Sequence, residues 1–514
     1  MRFTSASRMR LLDEKTIKEC GIPGIVLMEN AGRGAAVLAQ DHFGDMAGRR
    51  VAVICGRGNN GGDGFVIARV LQGWGADPII YLLGRKDQVE GDAAVNLTAA
   101  SKINLEIVEI TEGSGLEGLI LPGFDLIVDA MLGTGLNSEV RGLYEDVIGL
   151  INGSGRPVVA VDIPSGLDAD TGRIWGSAVR ADLTVTFGLP KAGLFLSPGE
   201  ELVGALEVVD IGIPPHILDE SGPAWELLLE DNLKGVLMPR SRDGHKGHYG
   251  HVLVVAGSVG KTGAAAMTAE ASARSGAGLV TLAVPESLNN ILEQKVTEVM
   301  TEPLPESEPG FLAKEAAGRI LELAQDKSVL ALGPGLSTQS GAVEVVRELV
   351  RSCELPMVVD ADGLNALADA DEILKKAKRE VVLTPHPGEM ARLAGCSTSD
   401  IQADRIKAAL KFAEDQGVVL VLKGYRTLIG VPDGRVYLNT TGGPHMASGG
   451  MGDILTGMIA GLISQGLSPL NAARLGVFVH GLAADQVAET KGTVGLLASD
   501  LLPWLPGLWS RFIL

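Results

Sequence analysis

The run Ala447-Ser448-Gly449-Gly450-Met451-Gly452-Asp453 is followed at once by the apolar stretch from Ile454 to Ile463. Glycines before a helix let backbone N–H groups converge at its N-terminus, where unpaired donors and the helix dipole attract an anion such as phosphate. Asp453 then stands beside that anion. A carboxylate is a poor phosphate ligand but a suitable general base, taking a proton from a hydroxyl as a phosphoryl group is delivered to it. The competing reading is a glycine turn with an aspartate that favours the first helical turn.

A second glycine-rich run lies in the first half, Val51-Ala52-Val53-Ile54-Cys55-Gly56-Arg57-Gly58-Asn59-Asn60-Gly61-Gly62-Asp63-Gly64. Gly56, Gly58 and Gly61 have the spacing of a dinucleotide-binding turn, a weak signal by itself. The acidic residue expected after the next strand is not distinct, because Arg85-Lys86-Asp87 carries mixed charges. Asn59 and Asn60 add side-chain carbonyls and amides that a pyrophosphate turn does not need; they suit coordination of a cation or the fixing of a polar ring substituent. Two further polar clusters are Asp129-Ala130-Met131-Leu132-Gly133-Thr134-Gly135-Leu136 and Asp162-Ile163-Pro164-Ser165-Gly166-Leu167-Asp168. Asn60, Asp129 and Ser165 could give hard oxygen ligands to one cation. Asp129 and Ser165 could equally cap the turns that follow them.

The elements that must carry these residues alternate between short apolar runs and helical segments. Arg50 to Cys55, Ile79 to Leu83, Leu126 to Ala130, Val158 to Val161 and Ala181 to Phe187 read as buried strands, and the polar clusters fall at their ends. This predicts a parallel sheet in an α/β fold. The pattern loosens from Gly212-Ile213-Pro214-Pro215 to Gly222-Pro223, which reads as a linker. A second α/β series runs through His251 to Ala256, Leu279 to Val284, Val329 to Leu332, Met357 to Asp360, Val381 to Thr384 and Val418 to Lys423. The expected domains are residues 1–215 and 225–514.

Composition sets the bounds. A chain of 514 residues exceeds one ordinary core, and 68 glycines imply many tight strand-to-helix turns. A net charge of -19 argues against nucleic acid or an anionic membrane as the main partner, so a phosphate-bearing ligand must be held by local donors. Cys20, Cys55, Cys353 and Cys396 lack CxxC spacing and fit reduced, packed thiols in a cytoplasmic protein. Met1 to Arg10 lacks the apolar region of a secretory signal, and no uncharged apolar run reaches membrane-spanning length.

The glycine loop of the first half, Ser165 with its neighbours, and Thr186-Phe187-Gly188-Leu189-Pro190-Lys191-Ala192-Gly193 together resemble the epimerase half of the bifunctional NAD(P)H-hydrate repair enzymes. The second half resembles the dehydratase partner. Its matching motifs are Gly257-Ser258 through Thr262-Gly263-Ala264, Gly333-Pro334-Gly335, Asp360-Ala361-Asp362-Gly363-Leu364-Asn365, Thr384-Pro385-His386-Pro387-Gly388-Glu389, Lys423-Gly424-Tyr425-Arg426-Thr427 and the opening glycine run. The resemblance covers nearly the whole chain, with the motifs in order. It implies a Rossmann-like epimerase domain followed by a ribokinase-like α/β domain.

The resemblance also implies a chemistry. Hydrated NADH and NADPH carry a hydroxyl at C6 in either configuration; the first half would interconvert the two forms and the second would remove water from the S form with ADP, giving AMP and phosphate. Asn60, Asp129 and Ser165 would bind potassium. Asn59, Asn60, Gly61, Gly62, Asp63, the segment Gly133, Thr134, Gly135, Leu136, Asn137, Ser138 and Glu139, and Asp162 would hold the hydrated cofactor, with Asp162 a candidate for proton transfer. Lys423, Gly424, Tyr425, Arg426, Thr427 and Gly452 would hold the adenine nucleotide, with magnesium, while Ala264, Gly335, His386 and Asp453 would meet the substrate. A homo-oligomer is implied.

Two residues depart from the family pattern: His445 stands where a small residue is expected, and Met451 where threonine or serine is common. The rival reading is a P-loop-like nucleotide hydrolase or a small-molecule kinase fused to a nucleotide-binding domain. Val255-Ala256-Gly257-Ser258-Val259-Gly260-Lys261-Thr262 approaches the P-loop pattern, but Val255 replaces its first glycine.

Overall fold

The computed structural model describes residues 1–111, 116–219 and 222–514. The chain divides into two compact units, one holding Arg2–Gly222 and the other Pro223–Leu514 with Met1.

In the first unit, apolar runs that are buried on both faces can only sit inside a covered sheet. Its strands are β1 (Arg50–Cys55), β2 (Asp77–Leu83), β3 (Glu106–Ile110), β4 (Leu126–Ala130), β5 (Val158–Val161), β6 (Leu183–Phe187) and β7 (Ala205–Val209). They form one sheet in the order β3-β2-β1-β4-β5-β6-β7, every neighbouring pair parallel. The order reverses between β1 and β4, and the crevice at such a reversal is where open α/β sheets take ligands. Helices α1 (Gly24–Phe43) and α2 (Asn59–Gly73) cover one face.

The expected linker is not slack chain throughout. Pro215–Asp219 forms a short helix, and Ile211, Ile213 and Ile217 are buried in the first unit's core, so that unit runs on to Gly222. The edge strands β3 and β7 were not evident in the sequence, because Glu106, Glu109 and Glu207 break their apolar pattern where one side meets solvent.

The second unit has β8 (Trp225–Leu228), β9 (His251–Val255), β10 (Leu279–Pro285), β11 (Met300–Leu304), β12 (Val329–Leu332), β13 (Met357–Val359), β14 (Val381–Leu383), β15 (Val419–Leu422), β16 (Leu428–Gly430) and β17 (Val436–Asn439). Their order is β8-β17-β16-β15-β14-β13-β12-β9-β10-β11. The sheet is mixed: β15 pairs antiparallel with β16, and β16 with β17. Short connections make antiparallel neighbours here, whereas a parallel return needs a longer crossover.

Helix α3 (Thr262–Arg274) packs on α4 (Met451–Ser464) at backbone distance. A Cβ on Gly457 would fall 2.2 Å from the Thr268 carbonyl oxygen, and one on Gly461 2.6 Å from that of Ser272. Ser272 Oγ donates across this seam to the Gly457 carbonyl at 3.1 Å. Among the described residues the four cysteines are free, and no helix is long and apolar enough to cross a membrane.

Candidate active sites

The first site sits at the carboxyl ends of β1, β4, β5 and β6. β1 delivers the glycine loop, and α2 starts at Asn59 with Gly58 as its cap. A Cβ on Gly56 would lie 2.0 Å from the Met131 carbonyl oxygen, and one on Gly61 1.9 Å from that of Gly56, so neither position tolerates a side chain. Gly58 faces open space instead, leaving its backbone free to approach a ligand.

The loop borders a cavity of about 740 Å³ lined by Asn59, Asn60, Asp63, Asp162, and Gly133 through Ser138. Gly61, Gly62 and Glu139 are not in its lining. Gly61 closes the loop on itself, a Cβ on Gly62 would strike Met28, and Glu139 turns outward to pair with Arg141 at 2.6 Å.

Asp129 is fully buried between β1 and β5. Its Oδ1 accepts from Ser165 Oγ at 2.6 Å and from the Met131 N–H at 3.2 Å, and its Oδ2 accepts from the Ser165 N–H at 2.8 Å. The capping reading thus describes real bonds. Burial nevertheless pushes the Asp129 carboxyl up to about 6, against those same hydrogen bonds, which marks a place where a cation would be welcome. Asn60 gives the independent sign: neither Oδ1 nor Nδ2 has a partner although both are buried. An orphaned buried amide is costly unless something absent completes it, and the donor set here is all oxygen, so the residues fit an oxygen-loving cation.

Asp162 takes a positive φ of 66°, rare outside glycine, and this turns its carboxylate onto the ammonium of Lys191 at 2.5 Å. Lys191, only 1% exposed, also donates to Thr186 Oγ1 at 3.1 Å and to the Phe187 carbonyl at 3.0 Å. Asp63 lies near them, its carboxyl held well above the ordinary range by burial and by Asp162. Sequence reasoning did not single out Lys191 or Asp13 as site residues, and both line the cavity. Lys191 could have been found as the one charge just past a buried strand; Asp13 lies in a helix far away in sequence and gave no such signal.

The second site collects the carboxyl ends of β9, β12, β13, β14 and β15, and the sheet order reverses between β12 and β9. Asp360, 1% exposed, accepts from Lys423 Nζ at 2.6 Å through Oδ1 and from Thr456 Oγ1 at 2.9 Å through Oδ2. Burial works to lower the Lys423 pKa, but Asp360 and Glu389, the latter 3.8 Å away, raise it above the ordinary value. Gly452 sits on this pair: a Cβ there would fall 3.0 Å from Lys423 Nζ and 3.2 Å from Asp360 Oδ2. Glycine at this position leaves the N-terminal turn of α4 room to come so close.

Asp453 lies in the first turn of α4, whose cap, Gly450, is left-handed with φ 92°. Burial, then the negative charge of Asp360, moves its carboxyl up to about 7 against the pull of Lys423. A carboxyl poised there exchanges protons readily at neutral pH.

His386 caps the helix Pro387–Leu393 through Nδ1, which accepts from the Gly388 N–H at 3.0 Å, while Glu389 Oε2 accepts from the His386 N–H at 2.8 Å. The half-exposed ring is therefore fastened at Nδ1, and its Nε2 lies 3.4 Å from Glu389 Oε1. Gly335 has φ 67° and lies against Ala264, 3.3 Å from a Cβ placed on it. In the Lys423–Thr427 loop, Arg405 holds the carbonyls of Tyr425 at 2.6 Å and of Leu422 and Lys423 at 3.3 Å. Thr427 Oγ1 donates to the Gly424 carbonyl at 2.9 Å, and the Tyr425 ring is left exposed.

The departures noted in the sequence have structural counterparts. His445 Nε2 lies 3.2 Å from Asp485 Oδ1 without making a hydrogen bond, and Asp485 Oδ2 accepts from the Gly442 N–H at 2.9 Å, so Asp485 braces the turn before the glycine run. Met451 is buried in the core. Ser448 Oγ, two residues before the cap, is buried without a partner and offers a hydroxyl to the loop. Lys261, the lysine of the P-loop-like run, is paired with Asp362 Oδ2 at 2.8 Å.

Comparison with known proteins matches two family models, the YjeF-related protein N-terminus over residues 24–193 and the NAD(P)H-hydrate dehydratase family over residues 252–506. The bifunctional NAD(P)H-hydrate repair enzyme Nnr of Moorella thermoacetica is 47% identical, across 98% of this chain and 96% of its own length. That of Escherichia coli is 36% identical across 93% and 88%. Among solved structures, an ADP/ATP-dependent NAD(P)H-hydrate dehydratase from Bacillus subtilis is 30% identical with a TM-score of 0.48, covering 57% of this chain and 99% of that one. Identity of this order through both halves means that the chain belongs to the family of bifunctional NAD(P)H-hydrate repair enzymes.

Proposed function

We propose that the first unit interconverts the R and S forms of hydrated NADH and NADPH at C6, and that the second dehydrates the S form with ADP, giving AMP and phosphate. The observation that carries this reading is the second site: a carboxyl poised near neutrality, Asp453, in the first turn of a helix whose N-terminus lies against Lys423. Hydroxide leaves poorly. Phosphorylating the C6 hydroxyl converts it to a good leaving group, and that requires a base at the hydroxyl and positive charge at the phosphates. Asp453 takes the hydroxyl proton; the α4 N-terminus and Lys423 hold the phosphates; Gly424–Thr427 carry the rest of the nucleotide. Ala264, Gly335 and His386 border the substrate.

Among the described residues no cluster of three or more His, Cys, Asp or Glu is arranged to hold a metal ion. Magnesium here is therefore assigned to the nucleotide phosphates, with at most one or two carboxylates, as is usual for that ion. In the first unit, Asn60, Asp129 and Ser165 would hold potassium, whose charge offsets the buried Asp129 and fixes the loops that embrace the ring.

Asn60→Ala removes an amide that has no protein partner, so the fold should be kept. The expected result is that potassium no longer stimulates epimerisation, while dehydration of pure S substrate is unchanged. Unaltered potassium activation, read from initial rates in KCl against a non-coordinating salt, would rule Asn60 out as a ligand.

The assignment of one activity to each unit predicts that residues 1–222 alone, if folded, equilibrate the two epimers without nucleotide. Chiral separation of the epimers over time is the measurement. A folded fragment without activity contradicts the division of labour.

A further inference from the structure

Helix Ala6–Lys18 turns a stripe into the first unit's cavity, consisting of Met9, Arg10, Asp13 and Ile17, spaced as one face of a helix. In that stripe Asp13 is anomalous. It caps no helix and forms no ion pair with a described residue, and its Oδ1 is buried without a hydrogen-bond partner. A carboxyl kept in such a place for stability would be fastened, as Asp129 is fastened by Ser165. The charged groups around it are Lys191, Asp162 and Asp63 from the facing elements and Arg10 on its own helix, with Arg57 and Asp92 elsewhere in the lining. Lys191 is already committed to Asp162 at 2.5 Å.

We propose that Asp13 is a second proton-transfer residue of the epimerase, working opposite the Asp162–Lys191 pair on the C6 carbinol of the hydrated ring. This rests on the epimerase reading of the first unit. Inversion at C6 requires the C–O bond to break on one face and to form on the other. The protonated Asp13 carboxyl gives its proton to the C6 hydroxyl; the C6–O bond breaks with its electron pair leaving as water, and the ring nitrogen lone pair forms the N=C6 bond. Water then adds to the opposite face, its oxygen forming the new C6–O bond while the N=C6 pair returns to nitrogen. Asp162 takes the proton that this water sheds. One proton is given and one taken, and exchange with solvent restores both carboxyls. Burial, tempered by Lys191 and reinforced by Asp162, moves Asp13 up to about 6, so that near neutrality both its acid and its base forms are populated.

The test is steady-state epimerisation by the full chain, with dehydration of pure S substrate as an internal control. Asp13→Asn should lower epimerase kcat by more than about 100-fold, leave KM within about threefold, and remove the kinetic pKa assigned to Asp13. Asp13→Glu restores a carboxyl on a longer stem and should be the more active of the two, whereas a packing role would favour the isosteric Asn. Asp13→Asn within about threefold of the parent, or more active than Asp13→Glu, overturns the proposal. Absence of epimerisation by the unaltered chain would overturn the epimerase reading itself, a different failure.

Discussion

Asp453→Asn lowers ADP-dependent dehydration by about 10²- to 10⁴-fold, the usual worth of a positioned base. The amide keeps the shape of the first turn of α4 but cannot accept the C6 hydroxyl proton. Nucleotide affinity persists, because the backbone donors at Gly450–Gly452 and the Lys423–Asp360 pair are untouched. The unaltered enzyme should lose its dehydration rate as pH falls through about 7, where the Asp453 carboxylate takes up a proton. Asp453→Asn should lack that limb. Rates at saturating ADP across pH 5.5 to roughly 8.5, with calorimetric nucleotide binding, check both statements. A near-normal rate would remove Asp453 from the role of base, and joint loss of rate and nucleotide binding would make it an organiser of the loop.

Lys423→Met has the largest expected effect on stability. Asp360 is 1% exposed and the Lys423 side chain 18%, so the substitution leaves a buried carboxylate whose remaining side-chain hydrogen bond among the described residues is from the Thr456 hydroxyl. Breaking one partner of such a pair costs about 3–5 kcal/mol, more than the pair contributes when both are present. The second unit should therefore lose stability at neutral pH. Adding Asp360→Asn to Lys423→Met should restore a good part of the loss without restoring nucleotide binding. Chemical denaturation of the two variants makes the comparison. Destabilisation of less than about 1 kcal/mol in Lys423→Met would mean that the Lys423–Asp360 pair does not hold the second unit together.

The central strands were legible in the sequence because burial on both faces makes them near-continuous apolar runs. Arg50–Cys55, Leu126–Ala130, Val158–Val161 and Val329–Leu332 begin and end where the sequence pattern places them. Strands at or near sheet edges were not legible: Glu106–Ile110 and Ala205–Val209 carry glutamates on exposed positions, and Leu428–Gly430 is too short to show a period. Site residues at strand ends were visible because glycine loops and aspartates punctuate the chain there. Other features arise only from three-dimensional proximity. Asp13 reaches the cavity from a distant helix, and the neutral-range carboxyl of Asp453 depends on its burial and then on Asp360, far from it in sequence and without pattern. Positive φ at Asp162 and at Ala361, between the two aspartates of the second site, likewise has no sequence signature, since neither is glycine.

The most direct test of the account is turnover of a defined mixture of R- and S-hydrated NADH by the full chain, followed by NADH absorbance and by chiral separation of the epimers. With ADP present the whole mixture should be converted to NADH, the R form no less completely than the S form, with one AMP and one phosphate released per NADH. Without ADP the two epimers should equilibrate and no NADH should form. Conversion that stops when the S form is exhausted, in a chain whose potassium requirement is met, would contradict the assignment of the first unit; NADH formation that does not depend on nucleotide would contradict that of the second.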